Sequence, residues 1–279
     1  MAALYKFVGG QTAVRAIARG ALKFTTIAEL NDPSELVPHM DRDAVLASLV
    51  AIRRTGYTPE QFEWLGRQEA LLRLLSPETR VLSRPSTIQR ANRTLALSVY
   101  DNLEFMEQQL LKTISLIRSR VGVLSLTARF DSLPMWAHYG ALAKGYVLRF
   151  DNLDSEFPEN STGSLNVVKP VNYVDDLVGM THDPLTQDNL FFSKFQDWSY
   201  EREWRVVSAL SSCQLSSDGK MHLRHISPSL VTGVICGWNA PDDEVSSLAA
   251  DLSCTNPDLE MLAASLDRGH VCLQGVHKS

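Results

Sequence analysis

Residues 121–150 read VGVLSLTARFDSLPMWAHYGALAKGYVLRF. Val121 to Thr127 and Gly145 to Phe150 are short β-rich runs, and between them Pro134 opens a turn and a short helix. Outward from here the strand pattern continues. Val167 to Val174, Glu203 to Val207, Val231 to Cys236 and Val271 to Val276 are further short runs of the same kind. A helix from about Asp242 separates the last two, with Val245, Leu248 and Leu252 facing inward. Strands that follow one another without regular intervening helices do not make a doubly wound parallel sheet.

Upstream, Leu4 to Val8 reads as a first strand. Thr12 is placed to cap a helix whose Val14, Ile17 and Ala18 share one face, with Gly20 as its stop. Ala21 to Ile27 is another strand, closed by the breaker Asn31-Asp32-Pro33. The middle is helical. Thr58-Pro59-Glu60-Gln61 starts one helix, with Phe62, Leu65, Leu72 and Leu75 on one face. A second starts near Ser86 and carries the stripe Leu103, Met106, Leu110, Ile114 and Ile117, which is core-facing by its spacing. The expected architecture is one α+β domain over 1–279. Its core is a mixed, mainly antiparallel sheet, and a helical insertion occupies 35–120.

Composition agrees with a globular chain: of 279 residues, 44% are hydrophobic and 21% charged. The net charge of −5 hides a split. Residues 1–150 carry 19 Lys and Arg against 13 Asp and Glu, and the remainder 8 against 19. An acidic total argues against a protein that coats nucleic acid, although the basic first half leaves an anionic ligand, or nucleic acid itself, open. No apolar run is long enough for a membrane helix, and the first residues lack a signal-peptide pattern, so a cytoplasmic location is expected. Cys213, Cys236, Cys254 and Cys272 are far apart with no C-x-x-C pair, which disfavours disulfides and structural zinc; no metal is expected.

No P-loop, zincin, nucleophile-elbow or dinucleotide-binding motif is present. Three polar and aromatic clusters remain. Met135-Trp136-Ala137-His138-Tyr139-Gly140 offers stacking faces and a proton shuttle in His138, or equally an aromatic anchor for its helix. In Trp198-Ser199-Tyr200-Glu201-Arg202-Glu203-Trp204-Arg205, two carboxylates one residue apart share a face if the run is a strand. Arg202 and Arg205 could pair with them or with phosphate, and an exposed ion-paired strand is the plain reading. Asn31-Asp32-Pro33 is first a rigid turn, and second a place to present Asn31 or Asp32 to a ligand.

These clusters, in this order, resemble an uncharacterised bacterial family, the domain of unknown function 2971. Its members look like Leu-Tyr-Lys-Tyr/Phe at the start, then Phe-Asn-Asp-Pro-Phe-Glu, then Met-Trp-Ala-His-Tyr-Ala before Lys-Gly and a strand, and later Trp-Ser-Tyr-Glu-Lys-Glu-Trp-Arg. Here Leu4-Tyr5-Lys6-Phe7, Asn31-Asp32-Pro33-Ser34-Glu35, Met135 to Gly140 with Lys144-Gly145, and Trp198 to Arg205 correspond. A weaker echo is Gly233-Val234-Ile235-Cys236-Gly237. Leu30 and Ser34 stand where the family has Phe.

A more distant resemblance is to ADP-ribosyltransferases, in the order of Tyr5-Lys6, Ser125 with His138 and Tyr139, and Glu201-Arg202-Glu203. That resemblance implies NAD as substrate, Glu203 as the catalytic carboxylate, Glu201 orienting the acceptor, and Tyr139 or Trp136 stacked on nicotinamide. Lys6 departs from it, standing where His or Arg is expected. Basic side chains such as Arg205 would hold the pyrophosphate. Such an enzyme could serve as a toxin or phage-defence effector. Two other readings stay open. One is a metal-dependent nuclease or phosphodiesterase using Asp175, Asp176, Glu201, Glu203 and Lys194. The other is a non-catalytic ligand- or protein-binding module with the helical insertion as its partner surface.

Overall fold

The computed structural model describes residues 2–32, 42–55, 58–59, 103–158, 165–176 and 191–276. In chain order the elements are β1 (Leu4–Val8), α1 (Gln11–Ala18), β2 (Ala21–Thr26), α2 (Arg42–Thr55), α3 (Leu103–Arg120), β3 (Val121–Thr127), α4 (Leu133–His138) and β4 (Tyr146–Phe150). There follow β5 (Val168–Pro170), β6 (Asn172–Val174), β7 (Ser193–Phe195), β8 (Glu203–Ala209), β9 (Gln214–Leu215), β10 (His222–His225), β11 (Val231–Cys236), α5 (Asp242–Thr255), β12 (Glu260–Asp267) and β13 (His270–Gly275).

The fold is α+β with a mixed, mainly antiparallel sheet. The large sheet runs β13-β12-β11-β4-β1-β3-β2-β10-β9, with β8 on β3 and β5 on β8. Among its named strands, β11 and β12 form the parallel pair. Of the expected helical insertion, α2, α3 and residues 58–59 are described; the helix starting near Ser86 begins outside the described residues. Ile117, the last of the stripe, is buried.

Several boundaries differ from the sequence reading. α1 begins at Gln11 with Gly10 as its cap residue, so Thr12 lies inside the first turn. The run 167–174 breaks into β5 and β6. β7, β9, β10 and β12 were not read as strands.

One face of the sheet is covered by α1 and α5. Leu4, Leu124, Leu148, Val206 and Val234 there pack with Val14, Ile17, Leu248 and Leu252 in a single core. The other face is built differently. Along β8, alternation puts Ala209, Val207, Arg205 and Glu203 on one side, so an apolar floor of Val207, Ala209, Val121, Val123 and Phe191 gives way to two charges. A third apolar group, around Phe7, Trp136, Val147 and Ile235, lies farther across the sheet.

β3 organises this layout. β8 pairs along all of it, from Val121↔Ala209 to Thr127↔Glu203. Its opposite edge is shared: Gly122 and Val123 pair with β2, while Thr127 pairs with Tyr5 of β1. The sheet therefore opens at the middle of β3. The Ser125 carbonyl is met there by the Lys6 ammonium at 3.0 Å. The register Lys6↔Leu148 puts Lys6 on the helix-covered face, reaching into the opening from behind.

Leu148 is wholly buried at the centre of the first core. Leu148→Ala is expected to lower unfolding free energy in a urea titration by about 2–5 kcal/mol. The 60% exposed Leu215, changed to Ala, is expected to stay within about 0.5 kcal/mol of the parent.

Candidate functional site

Glu203 opens β8 directly across from Thr127. Glu201 does not share its strand: it ends a 3₁₀ segment, Gln196–Glu201, and the intervening Arg202 has a left-handed backbone at φ 43°. The expectation of two carboxylates on one face of a strand therefore fails. The turn at Arg202 nevertheless brings the two together, because both reach one cation. Lys194 Nζ lies 2.8 Å from Glu201 Oε2 and 3.1 Å from Glu203 Oε2.

Lys194 is placed by the small parallel sheet of β6 and β7, where it stands beside Tyr173. The Tyr173 hydroxyl accepts the backbone N–H of Glu203 at 2.7 Å, tying that sheet to the start of β8. The Lys194 ammonium also sits 4.7 Å from the centre of the Trp198 ring.

Beneath Lys194 the ladder continues. Arg205 grips Glu203 with two nitrogens, Nε to Oε1 at 2.7 Å and a terminal nitrogen to Oε2 at 2.8 Å, and donates to the Phe191 carbonyl at 2.9 Å. Glu201, Lys194, Glu203 and Arg205 thus alternate in sign, and all four are buried. Such a set tolerates burial because each charge keeps a close opposite partner and its hydrogen bonds. Burial alone would raise the Glu203 carboxyl, but Arg205, by charge and hydrogen bond, with Lys194 and the Ser125 hydroxyl, lowers it from 4.5 to about 2.

Above Lys194 the ladder turns toward the surface. The half-buried Tyr139 donates its hydroxyl to Glu201 Oε1 at 2.6 Å, and the exposed Asn31 donates its amide to the Tyr139 oxygen. Burial, reinforced by the hydrogen bond and charge of Glu201, pushes the Tyr139 phenol well above its ordinary value, so it stays a donor at neutral pH. Tyr139 is carried by the end of α4, where its N–H bonds the Met135 carbonyl at 2.8 Å. The exposed His138 adjoins through Tyr200, whose hydroxyl lies 3.3 Å from its Nδ1.

The expected site residues divide accordingly. Glu201, Glu203, Tyr139, Asn31 and Arg205 join one network, with Ser125 on Glu203 and His138 at the rim. Arg205 is fully enclosed and engaged from below, not held ready for a phosphate. Lys6 occupies the sheet opening from the opposite face; burial lowers its ammonium and Glu203 raises it, with Lys23 lowering it again, to about 8. Tyr5 shares the Glu203 face of the sheet through Thr127, where it stands edge-on to Phe130 at 5.4 Å and packs on the aromatic group that also takes in Tyr139 and Tyr200.

Trp136 is wholly buried between Phe7 and Trp238, with its indole N–H on the Phe130 carbonyl at 2.7 Å. It anchors α4 and offers no face to nicotinamide. Asp32 is buried and Asn31 is exposed. Tyr173 escaped the sequence reading, and Lys194 figured in it only as part of a metal site. Asp175 and Asp176 are exposed. Among the described residues no group of three or more His, Cys, Asp or Glu gathers as a metal site, and no helix is long and apolar enough to cross a membrane.

Residues 135–206 match the family described as protein of unknown function, DUF2971. That segment runs from α4 into β8 and includes Tyr139, Tyr173, Lys194, Glu201, Glu203 and Arg205, so the similarity to DUF2971 coincides with the ladder and its cap. No curated protein and no solved structure matches the chain.

Removing Lys194 leaves two buried carboxylates facing each other. Lys194→Met is therefore expected to cost about 3–5 kcal/mol in chemical denaturation. For Glu203 the folded value lies below the unfolded one, so its stabilisation is complete above about pH 4.5 and is lost as pH falls toward about 2. Stability measured across that window should fall by about 3 kcal/mol on this account, and the slope should flatten in Glu203→Gln.

Proposed function

We propose that this site binds NAD and splits it in the manner of an ADP-ribosyltransferase, with Glu201 as the carboxylate that faces the ribose. One observation carries the reading: Glu201 holds Lys194 with one oxygen and the half-buried Tyr139 with the other. The carboxylate thus sits one hydrogen bond inside an aromatic rim of Tyr139, Tyr200 and Trp198. A substrate hydroxyl that replaces the Tyr139 phenol meets a carboxylate already oriented from behind.

In the reaction, the bond from ribose C1′ to the nicotinamide nitrogen breaks. Its electron pair leaves with nicotinamide, which becomes neutral, and positive charge develops at C1′. A preorganised carboxylate stabilises that charge, an acceptor oxygen or nitrogen bonds C1′, and the acceptor proton departs to solvent or to His138. The roles differ from those that the Glu-x-Glu resemblance implies. Glu203, gripped by Arg205 and Lys194 on both oxygens, orients Lys194, and Glu201 is the reacting partner. Loss of cellular NAD is what would make such a chain a toxin or a defence effector.

A second reading is a non-catalytic module that binds the same ligand. It is favoured by the mutual neutralisation of the ladder, which leaves a stable, preformed floor. A metal-dependent phosphodiesterase fits the donors less well, because Lys194 Nζ occupies the space between Glu201 and Glu203 where a divalent cation would have to sit.

Nicotinamide release from NAD distinguishes these readings. The wild type is expected to release it, and Glu201→Gln to slow release by about 100-fold or more. Binding of NAD with no release would favour the module, and release unchanged in Glu201→Gln would refute the role given to that residue.

A further inference from the structure

Just beyond Tyr139 the backbone does something costly. Ala141, Leu142 and Ala143 are all left-handed, at φ 49°, 56° and 60°. For residues with a Cβ this conformation crowds the following carbonyl, and it persists only where the surroundings over-determine it. A run of three is a turn held from outside.

The holding comes from the loop after β11. The backbone N–H of Asn239 donates to the Ala143 carbonyl at 2.9 Å, and its side-chain amide donates to the Leu142 carbonyl at 3.0 Å. The Gly237 N–H donates to the Gly145 carbonyl at 2.9 Å. A Cβ on Gly237 would fall 2.1 Å from the Ala143 oxygen, so only glycine permits this approach. That contact gives a physical reason for the glycine that ends the Gly233–Gly237 run. On the inner side, the Ala143 N–H bonds the Trp136 carbonyl at 3.2 Å and the Gly145 N–H bonds the Gly140 carbonyl at 2.8 Å. The Leu142 side chain is 68% exposed at the tip. The turn is therefore gripped through its carbonyls, not through packing at its apex.

We propose that Asn239 is a positioning residue for the bond between Tyr139 and Glu201. It locks the left-handed turn, and the turn fixes the end of α4 from which Tyr139 reaches the carboxylate. The connection is short: the N–H groups of Tyr139 and Gly140 both bond the Met135 carbonyl, and the turn begins at the next residue. If the grip is released, the turn relaxes toward ordinary backbone and swings Tyr139 off Glu201. The inference rests on the same site as the NAD reading, but its readout needs no turnover.

The test is fluorine NMR on the full chain labelled with 3-fluorotyrosine, the Tyr139 resonance being identified by its loss in Tyr139→Phe. In Asn239→Ala, and in the isosteric Asn239→Asp, which lose the side-chain bond to the Leu142 carbonyl but keep the backbone N–H on Ala143, that resonance should move part-way toward its position in Glu201→Gln. Its titration midpoint should fall, as the hydrogen bond to Glu201 is lost. Leu142→Gly, which relieves the strained backbone but keeps both carbonyls, should leave the resonance in place. A lower melting temperature in both Asn239 variants, with the Tyr139 resonance and titration unmoved, would show a merely structural role and overturn the proposal; so would variants that change nothing. A moved resonance in a protein that releases no nicotinamide would leave Asn239 its role and remove the NAD reading alone.

Discussion

Four charges with alternating sign, Glu201, Lys194, Glu203 and Arg205, lie buried on one face of the sheet, and the layout around them follows from keeping them paired. Each would be costly alone in this setting, and any one removed strands its neighbour. Arg205 satisfies Glu203 bidentately and gives a further donor to the Phe191 carbonyl. Lys194 comes from outside the large sheet. The separate β6–β7 pair delivers it, with Tyr173 as the tie back to Glu203.

The ladder also explains the irregular backbone nearby. Glu201 and Glu203 must converge on one ammonium although a residue in regular strand geometry between them would hold them on parallel lines. The left-handed Arg202 supplies the bend, and its carbonyl is kept by the Ala128 N–H at 3.0 Å. On the other flank, the left-handed run from Ala141 to Ala143 sets Tyr139. Two strained turns therefore bracket Glu201, one behind it and one behind its phenolic cap.

Much of the sheet was legible because its signals are local. Leu4–Val8 and Val121–Thr127 are short β-rich runs, the first stopped by Gly9-Gly10, and they form strands with those bounds. β12 was not legible: Glu260-Met-Leu-Ala-Ala-Ser-Leu-Asp is rich in helix formers, and it extends only because β11 and β13 pair on either side of it. The site was legible in its membership but not in its wiring. Glu201, Glu203, Tyr139 and His138 announced themselves by clustering in sequence. Trp136 looked the same and proved to be core, since a short amphipathic helix carries a buried aromatic and an exposed histidine two residues apart. Lys194 sits in a three-residue strand with no periodicity, and its partners lie in other segments, so spacing could not identify its role.

Whether the ladder is a single coupled unit is measured by a double-mutant cycle in urea on Lys194→Met and Glu203→Gln. Two residues that bear on one buried charge balance should show a coupling energy of about 1–3 kcal/mol, with the second substitution costing far less once the first is made. Additive losses, with coupling near zero, would mean that Lys194 and Glu203 do not share one charge balance, and the account of the four charges as a single ladder would fail.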